Sequence, residues 1–154
     1  MDKNMYSLDD SFDITEFLAE MPVSEGIRLS QESICESPSF PSLHEACETG
    51  NVPAVKCWIR ENVSLEEKNV DGHAPLHLAS LKGHLEVAKL LINKVVDLEV
   101  KTTPLRQTPL HGACWNGHIN VVQLLLDKGA KLEEKDISDQ TPLHRACGNG
   151  HIDV

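Results

Sequence analysis

Thr108-Pro109-Leu110-His111-Gly112-Ala113-Cys114-Trp115-Asn116-Gly117-His118 contains the signals that start and end one short helix. Thr108 can cap the helix with its hydroxyl, and Pro109 stands at the first helical position, where a missing N–H costs nothing. Gly117 ends the helix because glycine adopts the left-handed conformation without a Cβ clash. Residues 119–126 then carry the broad apolar face of a second helix, which ends near Gly129. The stretch predicts a pair of short helices.

The same stretch recurs along the chain. Its histidine and its glycine return in step, at His44, His77, His111 and His144 and at Gly50, Gly83, Gly117 and Gly150. A T-P-L-H-x-A pattern with a period of about 33 residues resembles the ankyrin-repeat family, over positions 38–154. The resemblance implies an all-α solenoid of paired short antiparallel helices joined by β-turn fingers.

The repeats and the residues before them define the predicted domains. The repeats lie at about 38–70, 71–103, 104–137 and 138–154, and the last is incomplete. The apolar face of the third repeat therefore lacks part of its cover, and we expect a fragment, a truncated product, or a molecule that finds the missing cover elsewhere. Residues 1–37 form an acidic, serine-rich segment with nine acidic residues against Lys3 and Arg28, which predicts a disordered tail.

Three local departures from the repeat pattern carry structural predictions. Asn62 replaces the glycine that ends a second helix, and asparagine is the next best left-handed residue. Val95 stands at the same position in the second repeat, where a β-branched residue is unfavourable, so we expect a different or longer helix exit. The interval from His77 to His111 is one residue longer than the other two. The extra residue falls at positions 101–107, which also lack a turn glycine, so this finger should differ in shape.

Composition excludes several functional classes. The formal net charge of −10 argues against nucleic acid or an anionic membrane as the main partner. No apolar run approaches the roughly 18 residues that a membrane-spanning helix needs, and no signal peptide precedes the acidic start, so membrane insertion is not expected. Five cysteines without a secretory signal predict reduced thiols, and the predicted localisation is cytoplasmic or nuclear.

Catalytic and metal chemistry are not expected. The common nucleotide-binding, metalloprotease and serine-hydrolase motifs are missing, and no cofactor is predicted. His111, Cys114 and His118 have a spacing that recurs in the fourth repeat, but Ser80 takes the place of the cysteine in the second repeat. A position that accepts serine indicates a small packing residue rather than a zinc ligand. The recurring histidine of the repeats resembles the family's structural histidine, which is expected to form hydrogen bonds with the backbone between repeats. The paired glutamates at positions 66–67 and 133–134 are expected on a solvated face.

The predicted function is binding of another protein, whose identity the sequence does not reveal. The resemblance implies a concave face built from the fingers and the exposed sides of the first helices. On that face the predicted binding residues are Trp115, Leu81, Lys82, Asn116, His73, Gln107, Gln140 and Asn149. Trp115 and Leu81 occupy equivalent positions and form the candidate hot spot. The alternative is that Trp115 merely shields the core.

The acidic tail suggests alternative functions. Apolar residues between Leu8 and Met21 lie among acids, and Asp13 with Glu16 can form a capping box. Such a segment could dock on a partner or on the chain's own repeats, or it is an acidic solvated tail. In the first case the chain is a signalling or transcriptional regulator whose tail carries the output. Another alternative is the targeting end of a larger truncated protein.

Overall fold

The computed structural model describes residues 39–154, and this part of the chain is built from helices without strands. The helices are α1 (Leu43–Thr49), α2 (Val52–Arg60), α3 (Pro75–Lys82), α4 (Leu85–Ile92), α5 (Pro109–Trp115), α6 (Ile119–Asp127) and α7 (Pro142–Gly148). The predicted all-α repeat architecture is confirmed. The predicted tail of residues 1–37 lies outside the described residues.

The helices start where the sequence predicts, although the cap contacts differ in detail. Ser42 Oγ accepts the backbone N–H of Glu45 at 3.1 Å, which is an ordinary side-chain cap. In α5 the hydroxyl of Thr108 instead contacts Nδ1 of His111 at 2.8 Å, and the same nitrogen accepts the backbone N–H of Thr108 at 3.1 Å. The predicted cap at Thr108 is therefore one half of a capping box, in which the His111 imidazole makes the reciprocal contact to the Thr108 backbone.

Left-handed residues end the helices. Gly50, Gly83 and Gly117 have φ of 73°, 78° and 69°, as predicted. Asn62 also adopts the left-handed conformation, with φ of 55°. The prediction for Val95 is wrong, because Val95 takes the same conformation, with φ of 60°, and remains 90% exposed. Its Cβ branch is strained there, and no compensating burial offsets the strain.

Each finger is closed across its ends by one backbone hydrogen bond, encloses a second, and is shaped by one polar side chain. The closing bonds run from Asn69 N–H to His73 O (2.9 Å), from Thr102 N–H to Gln107 O (2.8 Å), and from Asp136 N–H to Gln140 O (3.0 Å). The second finger spans one residue more than the other two, which confirms the predicted difference. Side-chain oxygens of Asn69, Thr102 and Asp136 accept N–H groups within their own fingers.

Stacking of equivalent helices forms the core. The first helices α1, α3, α5 and α7 pack side by side in chain order, and each of the first three packs on its own second helix. Alanines at equivalent positions, Ala46, Ala79, Ala113 and Ala146, are fully buried, so the first helices approach closely. Leu76 and Leu110 are also buried, whereas the equivalent Leu143 is 57% exposed, since no described repeat packs beyond it. We name this row of stacked first helices, α1, α3, α5 and α7, the ridge.

Candidate functional site

One set of histidines bonds backbone carbonyls further along the chain. For His77 and His111 the acceptor lies in the finger that follows, and for His44 it is Glu67, just before the first finger. Nε2 of His44, His77 and His111 donates to the backbone carbonyls of Glu67, Gln107 and Gln140 at 2.8, 2.9 and 3.0 Å, respectively. In His77 and His111, Nδ1 accepts a backbone N–H, so the neutral imidazole uses both nitrogens. Burial lowers the pKa of His77 to about 4, and burial also lowers the pKa of His111. The predicted structural role of these histidines is confirmed.

A second set of histidines links each repeat to the one before. Nε2 of His84, His118 and His151 donates to the carbonyls of Glu48, Leu81 and Trp115 at 2.9 to 3.0 Å. Each ring lies against the helix-ending glycine of the preceding repeat, where a Cβ atom would stand 2.6 Å from Nδ1. Sequence reasoning missed this role, although the recurring Gly-His pair was its signal. Within residues 39–154, no three potential metal ligands converge.

The cysteines are placed for packing. Cys47 and Cys114 are buried between first helices, and burial raises the pKa of their thiols to about 12 and about 11. Cys147, at the equivalent position in α7, is an exposed free thiol. Cys57 is disulfide-bonded, so the prediction that all five cysteines are reduced is wrong.

The glutamates of the linkers connect repeats. Glu66 Oε1 accepts the backbone N–H of Asp97 at 3.1 Å, and Glu99 Oε1 accepts that of Lys131 at 2.8 Å. Glu134 pairs with Lys101 at 2.8 Å, and that hydrogen bond lowers the pKa of the Glu134 carboxyl. The expectation of a merely solvated face was therefore incomplete, because the carboxylates bridge neighbouring repeats.

Leu81 and Trp115 lie beside each other on the ridge of first helices. Trp115 is 43% exposed and Leu81 is half-buried. Gly112 of α5 faces Leu81, so that a Cβ atom there would stand 3.6 Å from the Leu81 Cβ. Both side chains line two cavities. One, of about 270 Å³, also includes Leu105, Gln107 and Arg145, and the other, of about 540 Å³, includes Lys82, Asn116 and His118. We name these the finger cavity and the helix-end cavity.

Arg145 and Asp136 hold the outer side of Trp115. The Arg145 guanidinium lies over the indole, 5.1 Å from its ring centroid. Its Nε donates to Asp136 Oδ2 at 2.8 Å, and its terminal nitrogen pairs with the same oxygen. Burial alone would raise the pKa of Asp136, but the hydrogen bonds from Arg145 and the backbone of Gln140 and Ser138 lower it. Sequence reasoning missed both residues. Arg145 occupies a position that is glycine in α5, so the repeat pattern gave no signal for it.

The other predicted binding residues divide into two groups. Gln107, Lys82 and Asn116 line the cavities beside Leu81 and Trp115. His73, Gln140 and Asn149 line neither cavity. The amides of Asn116 and Asn149 donate to the carbonyls of Leu81 and Trp115, both at 2.8 Å. These amides therefore contribute to repeat stacking, which the sequence pattern did not indicate.

A third cavity lies away from this ridge, and an exposed ion pair lies on it. A cavity of about 300 Å³ is formed at the carboxyl ends of α2 and α4, where Ile59, Val63 and Val96 supply apolar lining. Lys82 forms an exposed ion pair with Glu48 at 3.1 Å. None of the helices described for residues 39–154 is both long and apolar enough to cross a bilayer.

The geometry above defines a protein of stacked helical repeats that presents a finger-lined ridge. The family model for ankyrin repeats (3 copies) matches residues 43–136 and 102–154, which together cover more than half of the chain. The chain therefore belongs to the ankyrin-repeat family. It is also similar to mouse (Mus musculus) protein phosphatase 1 regulatory subunit 27, with 37% identity over 56 residues. That similarity covers 36% of this chain and 36% of the relative's length.

Proposed function

We propose that this chain is a non-catalytic adaptor that binds another protein through the ridge of first helices and fingers. The observation that carries the proposal is the pair Leu81 and Trp115. Both side chains keep accessible apolar surface between two cavities, although the framework around them is hydrogen-bonded and packed. Tryptophan is enriched among residues that dominate binding energy, and it is most effective in such recessed settings.

The eight predicted binding residues enter this proposal with different weights. Leu81 and Trp115 act as the apolar anchor, and Gln107, Lys82 and Asn116 supply polar groups at its rim. His73, Gln140 and Asn149 extend the surface along the repeats. The domain division is part of the same proposal, with repeats at about 38–70, 71–103, 104–137 and 138–154 behind an acidic segment of residues 1–37. We place the protein in the cytoplasm or nucleus.

Truncation of Trp115 tests the proposal. Trp115→Ala should weaken capture of the parent chain's partners by about 2 kcal/mol or more. The matched control is Ile119→Ala, since Ile119 is 46% exposed but lies on α6, outside both cavities. Quantitative capture from cell extract, paired with thermal unfolding of each variant, separates binding from stability. If Trp115→Ala binds and unfolds like the parent chain, the ridge is not the binding surface.

The similarity to a regulatory subunit favours a second candidate function. The mouse relative is by its name a regulatory subunit of a phosphatase, and the shared segment lies in 36% of each chain. A regulator of this kind could use residues 1–37 as its output and the repeats as its attachment. Deletion of residues 1–37 distinguishes the two candidates, because an adaptor keeps its partner and its effect, whereas a tail-driven regulator keeps its partner and loses its effect.

A further inference from the structure

We infer that the finger cavity receives one bulky apolar side chain from a partner segment that also carries a carboxylate within two residues of it. The inference rests on the proposed function, since it names the chemistry of the partner at the same ridge. It goes further by assigning separate tasks to the cavity and to Arg106 in the second finger.

The lining of the finger cavity selects an apolar group. Leu81, Leu105 and Trp115 are three of its five lining residues, and Leu105 remains 47% exposed. Its volume of about 270 Å³ lies just below the roughly 300–1,000 Å³ of sites that hold small-molecule ligands. A space of this size and composition suits a single large side chain better than a cofactor.

The charges around the cavity select an acidic neighbour. Arg145 lines the cavity, but its charge is used by the buried Asp136, and Lys82 is paired with Glu48. Arg106 lies between the lining residues Leu105 and Gln107, is exposed, and takes part in none of the ion pairs found within residues 39–154. An exposed cation that forms none of these ion pairs, carried by the residue between two lining residues, attracts a carboxylate and repels a basic segment.

The short separation of Arg106 from the cavity residues along the chain limits how far apart the apolar side chain and the carboxylate of the partner can be. Arg106 directly follows the lining residue Leu105 in the chain, so its Cα lies about 3.8 Å from that of Leu105. An extended chain advances about 3.3 Å per residue, so a carboxylate one or two positions from the apolar anchor can meet the guanidinium. The net charge of −10 on the whole protein opposes acidic partners, so the preference must arise locally at Arg106.

Selection from a random dodecapeptide library displayed on phage tests the inference. The bait is the full chain, and peptides that still bind the Trp115→Ala or Leu105→Ala variants are removed. The second variant is included because Leu105 is on an exposed finger, where truncation does little to folding. The surviving peptides should carry Phe, Leu, Ile, Met or Trp with Asp or Glu one or two positions away.

Charge variants then test Arg106 directly. Replacing the selected Asp or Glu by its amide should weaken binding to the parent chain about fivefold, the size of an exposed ion pair, and should leave binding to Arg106→Gln unchanged. Selection with the Arg106→Glu variant as the bait should yield peptides with basic residues at the same position. Lys128→Glu is the control, since Lys128 is exposed at the end of α6. Selection with this variant as the bait should yield the same acidic peptides as selection with the parent chain.

The outcomes separate the inference from the proposed function. Peptides that depend on Trp115 and Leu105 but show no acidic preference would overturn the inference and leave the ridge as the binding surface. Selection that yields no peptide dependent on either residue would overturn both. If the amide replacement weakens binding equally to the parent chain and to Arg106→Gln, Arg106 is not the group that binds the carboxylate, and the inference is overturned.

Discussion

Acidification should destabilise the fold through His77. This imidazole is 3% exposed, its Nε2 donates to the Gln107 carbonyl, and its Nδ1 accepts the Ala74 N–H. Protonation would place a proton on Nδ1 facing another donor, inside the core. Burial lowers the pKa from 6.5 to about 4 in the folded protein. Between about pH 6.5 and about pH 4, His77 therefore binds a proton in the unfolded chain but not in the folded chain.

The sign and the magnitude of the change in folding stability with pH follow from proton linkage. Because the folded pKa is the lower one, stability from His77 is fully present above pH 6.5 and is lost as the pH falls from about 6.5 to about 4. The free energy at stake is roughly 3 kcal/mol, given about 1.36 kcal/mol for each pKa unit. Most of this loss, about 2 kcal/mol, should occur between pH 7 and pH 4.5.

Urea unfolding at several pH values measures this loss. We compare the parent chain, His77→Gln and His44→Gln, since His44 occupies the equivalent position in the first repeat and is only half-buried. Between pH 7 and 4.5, the parent chain should lose about 2 kcal/mol more than His77→Gln, because carboxylate titration is common to both. His44→Gln should follow the parent chain. An equal loss in parent and His77→Gln, or an NMR titration of His77 at its ordinary pKa, would refute the reasoning.

Three further predictions concern stability and are measured by urea unfolding at pH 7. Val95→Gly should stabilise by about 1 kcal/mol, because φ of 60° is unfavourable for an exposed β-branched residue; a loss of stability would show that the valine is unstrained. Gly83→Ala should cost at least about 2 kcal/mol, since its Cβ would lie 2.6 Å from an imidazole, whereas Gly150→Ala, with similar φ and open space, should cost only about 1 kcal/mol. Equal costs at the two glycines would contradict the role given to the second set of histidines. Asp136→Ala should cost about 3 kcal/mol, because it leaves a cation and two finger N–H groups without their acceptor. A cost below about 1 kcal/mol would mean that water replaces the carboxylate.

Local chemistry along the chain was sufficient to predict the architecture. Helix starts at Pro109 and helix ends at Gly117 depend on residues within one turn, so they are readable without tertiary information. Repetition at a nearly constant interval then extended one local prediction to an entire array. The longer second finger followed from the same counting. Val95 was misjudged because it adopts the left-handed conformation that its β-branched side chain disfavours.

The pairing of residues across repeats was decided only by the tertiary structure. Arg145 meets Trp115 and Asp136 because neighbouring first helices and fingers converge, and the spacing of these three positions along the chain carries no signal of that contact. The finger cavity arises in the same way, from Leu81, Leu105 and Trp115 of different elements. A sequence therefore determines where each helix begins and ends, because those signals are local. The surface between helices depends on distances that only packing sets.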